Sequence, residues 1–212
     1  MKTILRVSAA IPLFLSPLAM AGENVPDRYG YIGGHASYYT FYDNDVIGNG
    51  VDGLDDVPFY GGQLGWRFHP NWSVQGWYDE GEGDAESQYD SGRRVDMTNY
   101  FVSGRYHFND TSLLGFEPYA GINVGEQYIE SLNNPNSDKN DELMTGVELG
   151  VQRAFFKHVI LDLGTRHAYS TDREYWEGQV YAGLNLAFGI SNDSDDSADD
   201  EVVAATPAEV VT

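Results

Sequence analysis

Between residues 29 and 188 apolar and polar positions alternate with a period of two in eight short segments, 29–42, 59–69, 72–80, 95–108, 117–129, 142–155, 159–169 and 176–188. Alternation at every second position puts one set of side chains on each face of an extended strand. In the second segment Tyr60, Leu64, Trp66 and Phe68 share one face, and Gln63, Arg67 and His69 share the other. The fourth sets Tyr100, Val102, Tyr106 and Phe108 against Asn99, Ser103, Arg105 and His107. In the seventh, Val159, Leu161 and Leu163 oppose Asp162 and Arg166. A soluble sandwich and a membrane barrel both satisfy this pattern, so periodicity alone leaves two architectures open.

The placement of rings and the lengths of connections separate them. With the first strand rising from the periplasm, Tyr29, Trp66, Phe68, Trp72, Tyr106, Phe108, Phe155 and Phe188 fall at a lower rim. Tyr38, Tyr42, Tyr60, Tyr78, Tyr100, Tyr128, Tyr169 and Trp176 fall at an upper one. Two aromatic belts enclosing small and aliphatic residues match the girdles of an outer-membrane barrel. Connections 69–71, 109–116 and 156–158 are mostly short, whereas 43–58, 81–94 and 131–141 are long and polar; 171–175 is a shorter fourth outer loop. The expected fold is all-β, an eight-stranded antiparallel transmembrane β-barrel with short periplasmic turns, long external loops and both termini periplasmic.

The ends of the chain fit that reading. Lys2 and Arg6 precede an apolar run and a small-residue site, Ala19-Met20-Ala21, the layout of a secretory leader over 1–21. The barrel is expected over 22–190, and an acidic, unstructured tail or linker over 191–212, which carries seven Asp or Glu and no Lys or Arg. The formal charge is −21, and losing Lys2 and Arg6 with the leader takes it to −23. Nucleic acid is excluded as a partner, since phosphate binding needs clustered cations. The absence of cysteine removes disulfides, zinc-thiolate sites and Cys nucleophiles.

Three short stretches carry a family resemblance: Phe116-Glu117-Pro118-Tyr119-Ala120-Gly121, Thr145-Gly146-Val147-Glu148-Leu149-Gly150 and Gly183-Leu184-Asn185-Leu186-Ala187-Phe188-Gly189. Through them the chain resembles the N-terminal transmembrane domain of outer-membrane protein A and its relatives. The resemblance implies that Phe188 is the terminal aromatic read by the barrel-assembly machinery. It also implies a linker into a periplasmic peptidoglycan-binding domain, so peptidoglycan is an expected partner only if such a domain follows.

An eight-stranded barrel is just wide enough for side chains to fill, so inward polar residues should bond to one another. Centring the last short turn on Lys157 sets Glu148 opposite Arg166 and Gln152 opposite Asp162. A buried Glu148/Arg166 ion pair is therefore expected, with Arg67, Arg105, Asp79 and Asp162 as further partners, because an unpaired buried charge is costly. The expected role is that of a structural outer-membrane barrel, with minor gated permeability to small solutes, and with outer-membrane lipid and lipopolysaccharide as its surroundings.

The alternative is lipid A deacylation or acyl transfer, which needs a Ser, a His and an acid. His35 with Ser37 and His167 with Ser170 are the pairs available; the first pair faces inward, and the members of the second have opposite parity. Asp43, Asp45, Asp52, Asp55 and Asp56, with Glu82, Asp84, Glu86 and Asp90, form acidic loops. The run from Asp43 fails as a calcium loop because its twelfth position is Leu54. No phosphate-binding glycine motif precedes a helical pattern. The expectation is no enzyme, no cofactor and no metal.

Overall fold

The computed structural model describes residues 25–41, 53–54, 57–86, 93–131, 140–156, 158–172 and 174–191. Its strands are β1 (Arg28–Phe41), β2 (Gly53–Leu54), β3 (Val57–His69), β4 (Trp72–Glu86), β5 (Arg93–His107), β6 (Glu117–Ser131), β7 (Asn140–Phe156), β8 (Val159–Ser170) and β9 (Trp176–Ser191). All but β2 form a closed antiparallel barrel of eight strands, in which β9 pairs back onto β1. β2 adds two residues beside Ala85 and Glu86 of β4. Closure removes every sheet edge, and a lipid solvent requires this because it cannot satisfy free backbone groups.

One hydrogen-bonded row shows the stagger. It runs from Tyr29 through Arg67, Ser73, Arg105, Gly121, Glu148, Arg166 and Gln179, and returns to β1 at Tyr39, ten residues beyond its start. With eight strands at ordinary spacings, this stagger tilts them by about 40°. Residues far apart along the chain are thereby brought to one level of the lumen.

The outward face is apolar over the band that lipid covers. Ile32, Leu64, Val102, Ile122, Leu149, Leu184 and Leu186 are all more than half exposed. Trp66, Phe68, Trp72 and Phe108 mark the lower rim, and Tyr38, Tyr60, Tyr78, Tyr100 and Trp176 the upper, all of them exposed. Phe188 belongs to the lower set and closes the seam: it pairs with Gly30, where an added Cβ would meet its Cζ at 2.8 Å. The ring covers the space that the glycine leaves, which ties the last strand to the first.

Several expectations need correction. Tyr29 is no girdle residue; it is 1% exposed and points inward. Phe155 is half-buried and Phe156 takes the exposed position, because a bulge between Ala154 and Phe156 shifts the parity. The strands also run past their expected ends, with β4 reaching Glu86 and β5 beginning at Arg93 where a loop over 81–94 was expected. Gly81 and Gly83 suggested a turn. Their actual role is steric, since an added Cβ would meet Phe59 Cδ2 at 2.7 Å or Val57 Cγ2 at 2.6 Å. β9 continues to Ser191, one residue into the expected tail. The expected leader 1–21, Tyr42, Asp43, Asp45, Asp52, Asp55, Asp56, Asp90 and residues 192–212 lie outside the described residues.

Candidate functional site

The lumen holds the charged residues that the alternation pattern selected. Arg67, Arg105, Glu148 and Arg166 all lie on the row traced above. Gln152, Asp162 and Asp79 lie on another, which runs from Glu117 through Gln152, Asp162, Gly183, His35, Gly61, Asp79, Asn99 and Gln127 to Glu142. Every one of the seven is at most 1% exposed.

The expected pair is present: Arg166 Nη2 lies 3.2 Å from Glu148 Oε2. Arg105 completes it, with Nε 2.5 Å from Glu148 Oε1 and Nη1 2.9 Å from Asp162 Oδ2. Two carboxylates and two guanidiniums thus form a chain across the barrel. Tyr119 donates to Asp162 Oδ1 at 2.5 Å, and its hydroxyl lies 2.6 Å from that of Tyr181. The guanidinium of Arg105 sits over the Tyr119 ring at 4.4 Å, and that of Arg166 over Trp77 at 4.5 Å and Phe101 at 4.7 Å. Faces of aromatic rings supply part of the attraction that water would otherwise give these cations.

Gly121 makes the Arg105–Glu148 contact possible. It lies between them on the row, and a Cβ there would meet Glu148 Cγ and Oε1 at 2.9 Å. The side chains of two non-adjacent strands meet across the space that it leaves.

Two expected partners sit elsewhere. Arg67 pairs with Glu117, Nη1 to Oε1 at 2.7 Å, and its Nε donates to the Pro70 carbonyl at 3.0 Å. Asp79 has no arginine within ion-pair distance among the described residues. It accepts instead from Trp77 Nε1 at 2.8 Å, Asn99 Nδ2 at 2.9 Å, Gln179 Nε2 at 3.0 Å and the Tyr39 hydroxyl at 3.2 Å. Four neutral donors solvate one carboxylate in place of water. Gln152 faces Asp162 in register, yet its side chain accepts from Tyr29 at 3.1 Å.

Glu117 and Tyr29 were among the residues missed, with Tyr39, Trp77, Gln179 and Tyr181. For the first two the signal was available, since Glu117 shares parity with the inward Tyr119 and Gln127, and Tyr29 shares it with His35 and Ser37. Toward the end remote from both termini the lumen turns apolar. Tyr39, Val57, Phe59, Val95, Met97, Ile129, Met144 and Tyr175 pack into one buried cluster. Tyr175 enters it from the connection between β8 and β9 and donates to Gln127 Oε1 at 2.5 Å.

Neither Ser–His pair weighed for lipid A chemistry is assembled. His35 and Ser37 both face inward, but neither ring nitrogen bonds the hydroxyl. His167 is exposed on the lipid side, and Ser170 is buried with its hydroxyl on Glu142 Oε2 at 2.9 Å. His35 instead stacks on Trp77 at 3.5 Å.

A closed eight-stranded antiparallel barrel, apolar and ringed with aromatics outside and packed with paired charges inside, defines a transmembrane β-barrel of the outer-membrane class. The chain belongs to the outer membrane protein beta-barrel domain family, whose profile matches residues 7–188. Among solved structures it is similar in fold to Neisserial surface protein A, at 15% identity and a TM-score of 0.57, over 79% of this chain and 99% of that one. It is similar also to the outer membrane protein OprG of Pseudomonas aeruginosa, at 12% identity and a TM-score of 0.52, over 76% of this chain and 97% of that one. Comparison with curated proteins returns no match.

Proposed function

We propose that the protein is a structural barrel of the outer membrane that is closed at rest, admits small solutes only when its charged row opens, and offers its external end for surface recognition. The observation that carries this reading is the filled lumen. The Arg105–Glu148–Arg166 row crosses it, and the apolar cluster around Met97 and Phe59 caps it on the outer side. A barrel of this width has no room for a broad channel. Family membership supports placement in a Gram-negative outer membrane, and the short connections support periplasmic termini. Lipopolysaccharide then surrounds the external half, the assembly machinery reads Phe188, and peptidoglycan is contacted only through a further domain.

Planar-bilayer recording tests the gate. The unaltered protein should stay closed for most of the record, and Arg166→Ala should raise the single-channel conductance or lower the unfolding midpoint in urea. If both quantities are unchanged, the Glu148–Arg166 pair neither holds the barrel together nor blocks it.

A further inference from the structure

At the periplasmic mouth three side chains from adjacent strands form a hydrogen-bonded line. Ser73 stands near the start of β4, His107 at the end of β5 and Glu117 at the start of β6. Ser73 Oγ lies 2.8 Å from His107 Nε2, and His107 Nδ1 lies 3.0 Å from Glu117 Oε1. Arg67 Nη1 donates to that same carboxylate oxygen at 2.7 Å. An ionised carboxylate only accepts, so Nδ1 carries the imidazole proton, Nε2 is left as the acceptor, and the Ser73 hydroxyl donates to it. Hydroxyl, base and orienting carboxylate therefore stand in the order that acyl transfer requires.

Two further features favour chemistry here. Ser73 lies in register between two cationic residues, Arg67 on β3 and Arg105 on β5, whose N–H groups bond Glu117 and Pro70 in the first case and Glu148, Asp162 and Tyr181 in the second. Positive charge in a dry site is what a developing oxyanion needs. The line is buried, with Ser73 and His107 3% and 0% exposed, and it ends at Glu117, whose side chain keeps 11% of its surface. Trp72 and Tyr106, beside Ser73 and His107 in the chain, are exposed on the lipid side. The hydroxyl therefore faces the lumen, and membrane acyl chains are on the wrong side of the wall.

We propose that Ser73, His107 and Glu117 form a serine-hydrolase-type site, buried just inside the barrel mouth behind Glu117, for acetyl-sized carboxylic esters. Ser73 Oγ bonds to the ester carbonyl carbon while its proton passes to His107 Nε2 and the carbonyl electron pair moves to oxygen. Collapse breaks the bond to the alkoxy group, which leaves as the alcohol with the proton from His107. Water then adds to the acyl-Ser73 carbon and gives a proton to His107. Ser73 Oγ leaves and takes that proton back, which releases the carboxylic acid. Glu117 and Arg67 are positioning residues that hold the imidazole tautomer.

The test uses the folded full chain in detergent micelles, treated with a fluorophosphonate, in which Ser Oγ displaces fluoride from phosphorus. Peptide mass spectrometry should find the adduct on Ser73. Ser73→Ala should abolish it, and His107→Asn should slow it by about 100-fold or more. Glu117→Gln should slow it as well, with partial rescue by Glu117→Asp. Ser103→Ala, at another buried inward serine, should label like the unaltered protein. p-Nitrophenyl acetate should be hydrolysed in the same rank order, and the butyrate ester more slowly. Heat-dependent gel mobility reports whether each variant has folded. Where variants do not fold, the unaltered barrel decides alone: no adduct, or an adduct only on another residue, overturns the proposal.

Discussion

The two ends of β3–β6 have opposite polarity. In the membrane band Leu64, Val74, Val102, Ile122 and Val124 point outward, and Gln63, Arg67, Ser73, Gln75, Ser103, Arg105 and Asn123 point inward. Beyond the line of Tyr60, Tyr78, Tyr100 and Tyr128 the faces exchange. Glu80, Glu82 and Glu130 are exposed there, and Val57, Phe59, Val95, Met97 and Ile129 are buried inside. One continuous ladder of backbone hydrogen bonds therefore serves two solvents. Below the tyrosines lipid takes the apolar face and the lumen takes the charges; above them water takes the charges and the lumen takes the apolar face. The exchange marks where the bilayer ends; Tyr78 donates across it to Glu80 Oε2 at 2.8 Å, and Tyr128 donates back to Glu126 Oε2, level with Tyr100, at 2.5 Å.

The largest effect should come from breaking the charged interior of the band. Arg105→Ala leaves Glu148 without its closest cation and Asp162 without its ion-pair partner. Removing one member of a buried ionic set costs about 3–5 kcal/mol, because the remaining charges keep their desolvation penalty. Urea unfolding in micelles should show a loss of that order. A change below about 1 kcal/mol would mean that water reaches Glu148 and Asp162 and the network is not dry.

The band was legible because its two faces differ so sharply in polarity. Parity alone assigned Arg67, Arg105, Glu148 and Arg166 to the lumen. The Glu148–Arg166 register came out right through a compensation. A symmetric turn centred on Lys157 was assumed, whereas the turn joins Phe156 to Val159 and the bulge between Ala154 and Phe156 restores the register above it. Contacts across the lumen were harder to foresee, since which row meets which depends on the ten-residue stagger, a property of the closed sheet. Arg67 therefore met Glu117, and Asp79 met amides and rings. The end remote from the termini was illegible for the opposite reason. Acidic residues outside and glycines inside resemble a loop until Phe59 and Val57 are seen filling the space over Gly81 and Gly83.

A single new charge can locate the exchange on one strand. Val102 points outward from β5 in the band and is 54% exposed to what would be lipid. Val102→Lys places an ammonium there, at a cost of about 2–4 kcal/mol near the midplane, falling toward the interfaces. Reversible unfolding in lipid bilayers, where the hydrocarbon is present, is the measurement to use. In short-chain micelles the loss should shrink, since the lysine can reach water there.

Four residues nearer the start of β5, on the same face, the same substitution should change sign. Thr98 is directly opposite Glu80 on β4, and on its other side is opposite Tyr128 on β6. Thr98→Lys would set an ammonium against a carboxylate in a position bathed by water, and a cross-strand pair of opposite charge contributes about 0.2–1 kcal/mol. The gain should fade in salt, because exposed charges are screened within about 10 Å at 0.1 M ionic strength. Unfolding midpoints at low and high salt, compared between Thr98→Lys and Thr98→Gln, isolate the charge from the longer side chain. If Thr98→Lys instead destabilises the barrel in bilayers to the extent that Val102→Lys does, lipid covers both positions. The boundary then lies beyond Thr98, and the exchange of faces is a feature of the sheet's packing with no bearing on where the membrane ends.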